Sequence, residues 1–241
     1  MRALGPCDGL AGERGAPGWG LREAAGRALL TGARPDGVIL WRMTGAAPFE
    51  DLAFEWHPTA FEEWGGDFRV AVTLALVLRL IHMRGFVMHG SAQVMGGEGI
   101  ICTGPSGKGK STISRLFDRR GVEVLTDERP ILRQTEGAGV RRFRVYGSPW
   151  PSSGGFAGNG SAPLRKVYFL ERGPEPRVEP VTRREAVHRL LSVSLVPWLD
   201  EAFFDPVIRT LESLLDEVPC AVLRFRPDET VVDAVRRDLG C

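Results

Sequence analysis

The chain has 241 residues, 43% of them hydrophobic and 25% charged, the ordinary make-up of a soluble globular protein able to bury a core. A formal net charge of +1 removes any bulk electrostatic case for nucleic acid or an acidic membrane as partner. The cysteines, Cys7, Cys102, Cys220 and Cys241, show no CxxC pairing and no His/Cys cluster at metal-ligand spacing.

The opening stretch, MRALGPCDGLAGERGAPGWG, places Gly, Pro and charges where a signal peptide needs a continuous apolar run, so none is expected. The first 32 or so residues read as loosely ordered, with LREAAGRALL (21–30) able to form a short helix. GVILWRM (37–43) and LAFEWHP (52–58) read as strands joined by TGAAPFED. From Asp67 to Met83 the apolar spacing suits a helix buried on most sides and stopped by Gly85. Its stretch VAVTLALVLRLIHM (70–83) falls short of the roughly 20 residues a bilayer span needs, and Arg79 interrupts it. No membrane partner is expected, and a reducing cytoplasm is the expected location.

FVMHGSAQVM (86–95) reads as a strand with a turn at Gly96–Gly97, and GIICT (99–103) as a short apolar strand ending at Gly104. Lys110 to Arg120 is amphipathic, with Ile113, Leu116 and Phe117 on one face and Arg115, Asp118 and Arg119 on the other; Gly121 suits the C-cap. VEVLT (122–126) reads as a buried strand ending at Asp127. PILRQ and VRRFRVYG, flanking EGAG, suit a hairpin. PSSGGFAGNGS (151–161) has the most flexible composition in the chain, either a linker or a mobile loop over a site. KVYFLE and AVLRF read as strands, 183–194 and 205–217 as helices, and Asp228 as the cap of a last helix, ETVVDAVRRDL. Cys102 and Cys220 then fall in strands, as small buried hydrophobes. No internal repeat is visible. The expected organisation is a catalytic domain over 85–241 with residues 1–84 as an N-terminal extension of strands and a buried helix packed on it.

The chemistry concentrates in Gly104-Pro105-Ser106-Gly107-Lys108-Gly109-Lys110-Ser111, which fits GxxxxGK[ST] without a mismatch and lies between a predicted strand and a predicted helix. Glycines at 104, 107 and 109 let the backbone approach an anion, and the amides converge on phosphate oxygens at the positive end of the following helix. Lys110 is one of only three lysines in the chain, with Lys108 and Lys166. It suits the β- and γ-phosphates of ATP as a compact charge on a flexible stem, and the Ser111 hydroxyl suits Mg²⁺. Lys108 occupies a variable position, facing solvent. Downstream, Asp127 and Glu128 stand together at a strand end. One carboxylate can hold metal while the other takes a proton from an attacking hydroxyl, although a plain strand-end turn has the same look.

From about Val87 to Arg226 the chain resembles the HPr kinase/phosphorylase catalytic domain and its kinase relatives, which share a core with phosphoenolpyruvate carboxykinase. The resemblance runs through VMHGSAQVMGGEGIICTGPSGKGKST, GVEVLTDE, YGSPWP, SAPLRKVYFLERG and VPCAVLRF. It implies an α/β fold, a P-loop mixed β-sheet flanked by helices. It places ATP on the loop through Thr112, with Lys110 in the reaction as well, Mg²⁺ on Ser111 and Glu128, and Asp127 as the base that activates a substrate serine. It also places His89, otherwise a strand-end core histidine, beside the transferred phosphate. Thr112 stands where the kinase/phosphorylases carry Glu, the glycine-rich signature with its extra acid has no match, and the separate N-terminal domain is replaced by a short extension. These departures weaken the case for HPr itself as substrate and for phosphorylase activity, and the implied activity is an ATP- and Mg²⁺-dependent kinase acting on a hydroxyl, with serine favoured, of a small protein or peptide. A nucleotide-binding regulatory or assembly module that no longer catalyses, and a small-molecule phosphotransferase of carboxykinase type, are the alternatives. Phe156 and the 151–161 loop suit a lid or an acceptor-docking segment. Arg141, Arg142 and Arg144 either hold an acidic partner or form a solvated hairpin face. Relatives form hexamers, so a homo-oligomer is a further expectation.

Overall fold

The computed structural model describes residues 2–6, 18–24, 27–56, 67–137, 140–196 and 204–241. The chain divides into two compact units, residues 1–82 with 197–203, and residues 83–196 with 204–241.

In the first unit, β1 (Arg2–Pro6), β2 (Gly18–Ala24), β3 (Arg27–Ala33), β4 (Ile39–Gly45) and β5 (Ala53–Trp56) form a sheet in the order β1-β5-β4-β3-β2. The segment expected as a helix over 21–30 is instead a hairpin, with Leu21 opposite Leu30 and Ala24 opposite Arg27. Sheet pairing overrides the local helical preference of LREAA, because β3 is committed on its other side to β4. Gly32 is part of that commitment: a Cβ there would lie 2.1 Å from the Trp41 indole nitrogen. The helix α1 (Asp67–Ile81) is anchored by Arg79, which donates to the Pro48 carbonyl at 3.0 Å and pairs with Glu50 at 2.9 Å. Gly85 does not stop it. The chain turns over 82–84, Arg84 takes the left-handed conformation at φ 53°, and Gly85 is already inside the next strand. Among the described residues no helix is long and apolar enough to cross a membrane.

The second unit is a mixed α/β fold. Its strands are β6 (Gly85–Met88), β7 (Gly90–Met95), β8 (Glu98–Thr103), β9 (Glu123–Thr126), β10 (Ile131–Gly137), β11 (Val140–Tyr146), β12 (Ser161–Arg172), β13 (Arg177–Pro180), β14 (Ser194–Leu195) and β15 (Cys220–Phe225). Its helices are α2 (Lys110–Arg119), α3 (Arg183–Val193), α4 (Phe204–Glu217) and α5 (Thr230–Leu239). The run 86–95, expected as one strand, is broken at His89. β6 pairs antiparallel with β10 and β14, whereas β7 pairs antiparallel with β8 and β9. Periodicity along the run carries no mark of where the chain changes partners, because that choice is made by the strands on either side. β12 joins the two sets: its first residues pair with β11, and the rest runs parallel between β8 and β15.

Local chemistry shapes the connections. Gly96 and Gly97, at φ 59° and 81°, form the two-residue turn of the β7–β8 hairpin, where positive φ at both positions matches the strand twist. Gly121 closes α2 at φ 70°, its amide bonding the Asp118 carbonyl at 2.9 Å and that of Val122 the Phe117 carbonyl at 3.0 Å. Asp228 accepts the Thr230 amide at 3.1 Å, one position ahead of the residue that caps α5. The apolar face of α2, Ile113, Leu116 and Phe117, is buried with Ile100 and Cys102 of β8, Tyr168 of β12, Leu223 of β15 and Val231, Val232 and Val235 of α5. Truncating a fully buried Phe117 to Ala would cost about 3–5 kcal/mol. This core anchors α2 against the carboxyl end of β8. The parallel strands β8, β12 and β15 end at one edge of the sheet, the edge where open α/β sheets bind ligands.

Candidate functional site

β8 ends at Thr103, the glycine-rich turn covers 104–109, and α2 begins at Lys110. Gly107 and Gly109 take φ of 79° and 101°, conformations that a side chain would strain. At Gly109 space is also denied, since a Cβ would stand 2.9 Å from the Phe225 ring. Gly109 is the N-cap of α2; no side chain caps the helix, and its first turn holds no acid. The first amides and the positive end of the helix dipole are thus left for an anion.

Lys110 is only 7% exposed, and its Nζ donates to the Gly104 carbonyl at 2.9 Å and the Pro105 carbonyl at 3.0 Å. An ammonium has three protons, so one donor remains. Burial lowers the Lys110 pKa from its usual range, and the Glu128 carboxylate opposes that shift. His89 sits at the break between β6 and β7, pinned by its amide to the Val193 carbonyl (2.6 Å) and by the Thr103 hydroxyl on its own carbonyl (2.6 Å). Its Nδ1 lies 3.4 Å from Glu128 Oε1. Burial, then the Lys110 charge, lower its pKa below the ordinary imidazole value, with Glu128 acting the other way. That direction favours the uncharged imidazole. Glu128 also has Arg129 Nε at 3.9 Å.

These groups line one cavity of about 370 Å³: His89, Ser106, Gly107, Gly109, Lys110, Ser111, Thr112 and Glu128, joined by Ser152, Ser153 and Arg172. Gly104, Pro105 and Lys108 instead line a neighbouring hollow of about 240 Å³, beside Glu171 and Arg189. Lys108, expected to face solvent, is exposed, and it lines this second hollow rather than the main cavity. Arg189 donates to Glu171 at 2.7 Å, and that bond, with its charge, holds the Glu171 carboxyl below the usual carboxylate range.

Asp127 lines neither hollow. It is 1% exposed, and the 151–156 segment closes over it. Its Oδ1 accepts the Ser152 amide at 3.0 Å, and its Oδ2 accepts the Ser152 hydroxyl and the Gly154 amide, both at 2.7 Å. Only glycine fits at 154, because a Cβ there would fall 2.0 Å from Asp127 Oδ2. Ser152 Oγ also lies 3.1 Å from Ser111 Oγ, so one serine joins the acid to the start of α2. The Phe156 carbonyl accepts the Asp127 amide at 3.4 Å, and the Ser153 carbonyl accepts from Arg115 at 2.6 Å. The flexible composition of 151–161 therefore does not translate into a free linker.

Sequence reasoning missed Ser152, Gly154 and Arg172. A stretch of Ser and Gly names no chemistry until its partner is known. Arg172 left a weak signal: it is the last residue of a strand running parallel to β8, and so ends at the ligand edge. Of the hairpin arginines, Arg142 is exposed, Arg144 donates to Ser161 Oγ at 3.0 Å, and the Arg141 side chain lies outside the described residues, as does the turn at 138–139. Cys102 is fully buried and Cys220 half-buried; burial raises both thiols, Cys220 to about 12, so neither is a nucleophile. Among the described residues no group of three or more His, Cys, Asp or Glu is placed to hold a metal ion, so a cation here would need oxygens from its substrate.

No family model matches the chain, and no curated protein matches it. Among solved structures it is similar to the Hpr(Ser) kinase/phosphatase from Coxiella burnetii, at 15% identity over 64% of this chain and 92% of that one, with a TM-score of 0.33. A superposition that loose transfers no residue roles.

Proposed function

We propose that the chain is an ATP- and Mg²⁺-dependent kinase of HPr-kinase-like type, transferring the γ-phosphate to a serine hydroxyl of a small protein or peptide. The observation that carries this reading is the single cavity in which the uncapped start of α2, Lys110, Ser111, His89 and Glu128 meet, with Asp127 one hydrogen bond behind its wall. The amides of the turn and Lys110 neutralise the phosphates. Ser111 Oγ and the Glu128 carboxylate are hard oxygen donors, a set that suits Mg²⁺ completing its shell with water and phosphate oxygens. Bound there, Mg²⁺ would withdraw charge from the phosphates. His89 stands beside the transferring group in the same cavity, and Asp127 takes the acceptor's proton as the acceptor oxygen attacks in line. Positioning and electrostatics supply most of the rate. The acceptor itself is set by loops and by the partner.

One observation favours a second reading, a nucleotide-binding module without transfer: the Asp127 carboxylate already carries three hydrogen bonds from its own chain. Calorimetry with ATP, together with phosphoryl transfer to a panel of serine peptides and small proteins, separates the two. Transfer by the native chain that is lost in Asp127→Asn while ATP stays bound supports the kinase. Tight ATP binding with no transfer to any acceptor favours the module. No ATP binding ends both.

A further inference from the structure

Resting on the kinase reading, we infer that Ser152 is itself a phosphoryl acceptor, modified within its own chain by the nucleotide bound at the glycine-rich turn. Its Oγ is 2.7 Å from Asp127 Oδ2, inside the span required between a general base and the proton it takes. The same Oγ is 3.1 Å from Ser111 Oγ, the hydroxyl beside Lys110 at the start of α2. A hydroxyl lying between a buried carboxylate and the anion-binding end of a helix occupies the place an acceptor must take. Ser152 also lines the cavity shared by Lys110, His89 and Glu128.

The placement is built into the fold. The Ser152 and Gly154 amides grip the two oxygens of Asp127, Gly155 closes a turn onto the Ser152 carbonyl at 3.1 Å, and Arg115 of α2 holds the Ser153 carbonyl at 2.6 Å. The hydroxyl adds a bond whose proton is already directed at the base, and a tethered nucleophile gains the full advantage of proximity.

In the step, Ser152 Oγ forms a bond to the γ-phosphorus as the bond from that phosphorus to the β,γ-bridging oxygen breaks. The hydroxyl proton passes to Asp127 Oδ2, and ADP leaves. Once Asp127 has released that proton to water, the product phosphoserine holds close to two negative charges beside a carboxylate, and that repulsion frees the Ser152 and Gly154 amides. The loop then opens and uncovers Asp127 for an outside acceptor.

The experiment incubates the full chain with ATP and Mg²⁺ and follows intact mass, with the modified residue mapped by fragmentation. In parallel, binding of a non-hydrolysable ATP analogue is measured by calorimetry, and amide hydrogen exchange is compared before and after reaction. Expected are one phosphoryl group on Ser152, a first-order rate independent of protein concentration, and lost protection at the Ser152 and Gly154 amides. Ser152→Ala removes the label, Ser152→Thr restores it as phosphothreonine, and Asp127→Asn slows labelling about 10²–10⁴-fold. Should Ser152→Ala fail to fold, the mapped site in the native chain and the Thr variant decide. Serine-peptide transfer with Ser152 unmodified overturns this inference and leaves the kinase reading intact. A labelling rate that rises with protein concentration overturns transfer within the chain. Absence of analogue binding overturns both.

Discussion

The turn at 104–109 and the loop at 151–160 are both rich in glycine, yet they use it in opposite ways. In the turn, positive φ at Gly107 and Gly109 starts α2 without a side-chain cap, so its amides are kept for a ligand. In the loop, the missing Cβ of Gly154 lets a backbone amide reach Asp127 at 2.7 Å, and the loop's hydrogen bonds are spent inside the protein. One glycine-rich segment leaves its donors for a guest; the other supplies the guest from its own chain. Composition cannot tell these apart, because glycine reports only what the backbone is permitted to do.

The largest expected effect tests the closed side. Asp127→Asn should leave ATP bound and lower phosphoryl transfer about 10²–10⁴-fold, read as kcat against the calorimetric affinity. Turnover that survives the substitution would remove Asp127 from the mechanism. On the open side, Lys110→Ala should lower transfer about 10²–10³-fold by deleting the one buried cation among the phosphate-binding amides. Unchanged kcat/KM would mean that the turn holds no phosphate. Gly154→Ala sharpens the contrast, because its Cβ must displace Asp127 or the loop, at a cost of about 1–3 kcal/mol in chemical denaturation. The same exchange at Gly155, where a Cβ meets nothing within 4 Å but φ is 80°, strains the backbone alone and should cost less, about 1 kcal/mol. The mildest effect on the reaction itself is expected for Arg172→Ala at the cavity edge, which should weaken ATP about tenfold, equal to about 1.4 kcal/mol, with transfer at saturating ATP unaltered.

Much of the second unit was legible from residue order. The spacing of Ile113, Leu116 and Phe117 foretold the buried face of α2, Gly121 its end, and Gly96–Gly97 the hairpin turn, because each is a local matter of periodicity or backbone freedom. What failed, failed for non-local reasons. LREAAGRALL has helical residues but is held as strands by β4, and Gly85 looked like a stop but lies in β6. FVMHGSAQVM reads as one strand, yet its two halves pair with different neighbours and the break falls on His89.

The site divides the same way. That a strand should run into a glycine-rich turn and then a helix beginning at Lys110 follows from sequence alone, since motif, strand pattern and amphipathic spacing are contiguous along the chain. That His89 and Glu128 stand 3.4 Å apart beside Lys110, that Lys108 faces another hollow, and that Ser152 covers Asp127 were settled only by folding. Each depends on which strands lie side by side and how a distant loop returns, and such contacts are chosen by the burial and hydrogen bonding of the whole domain.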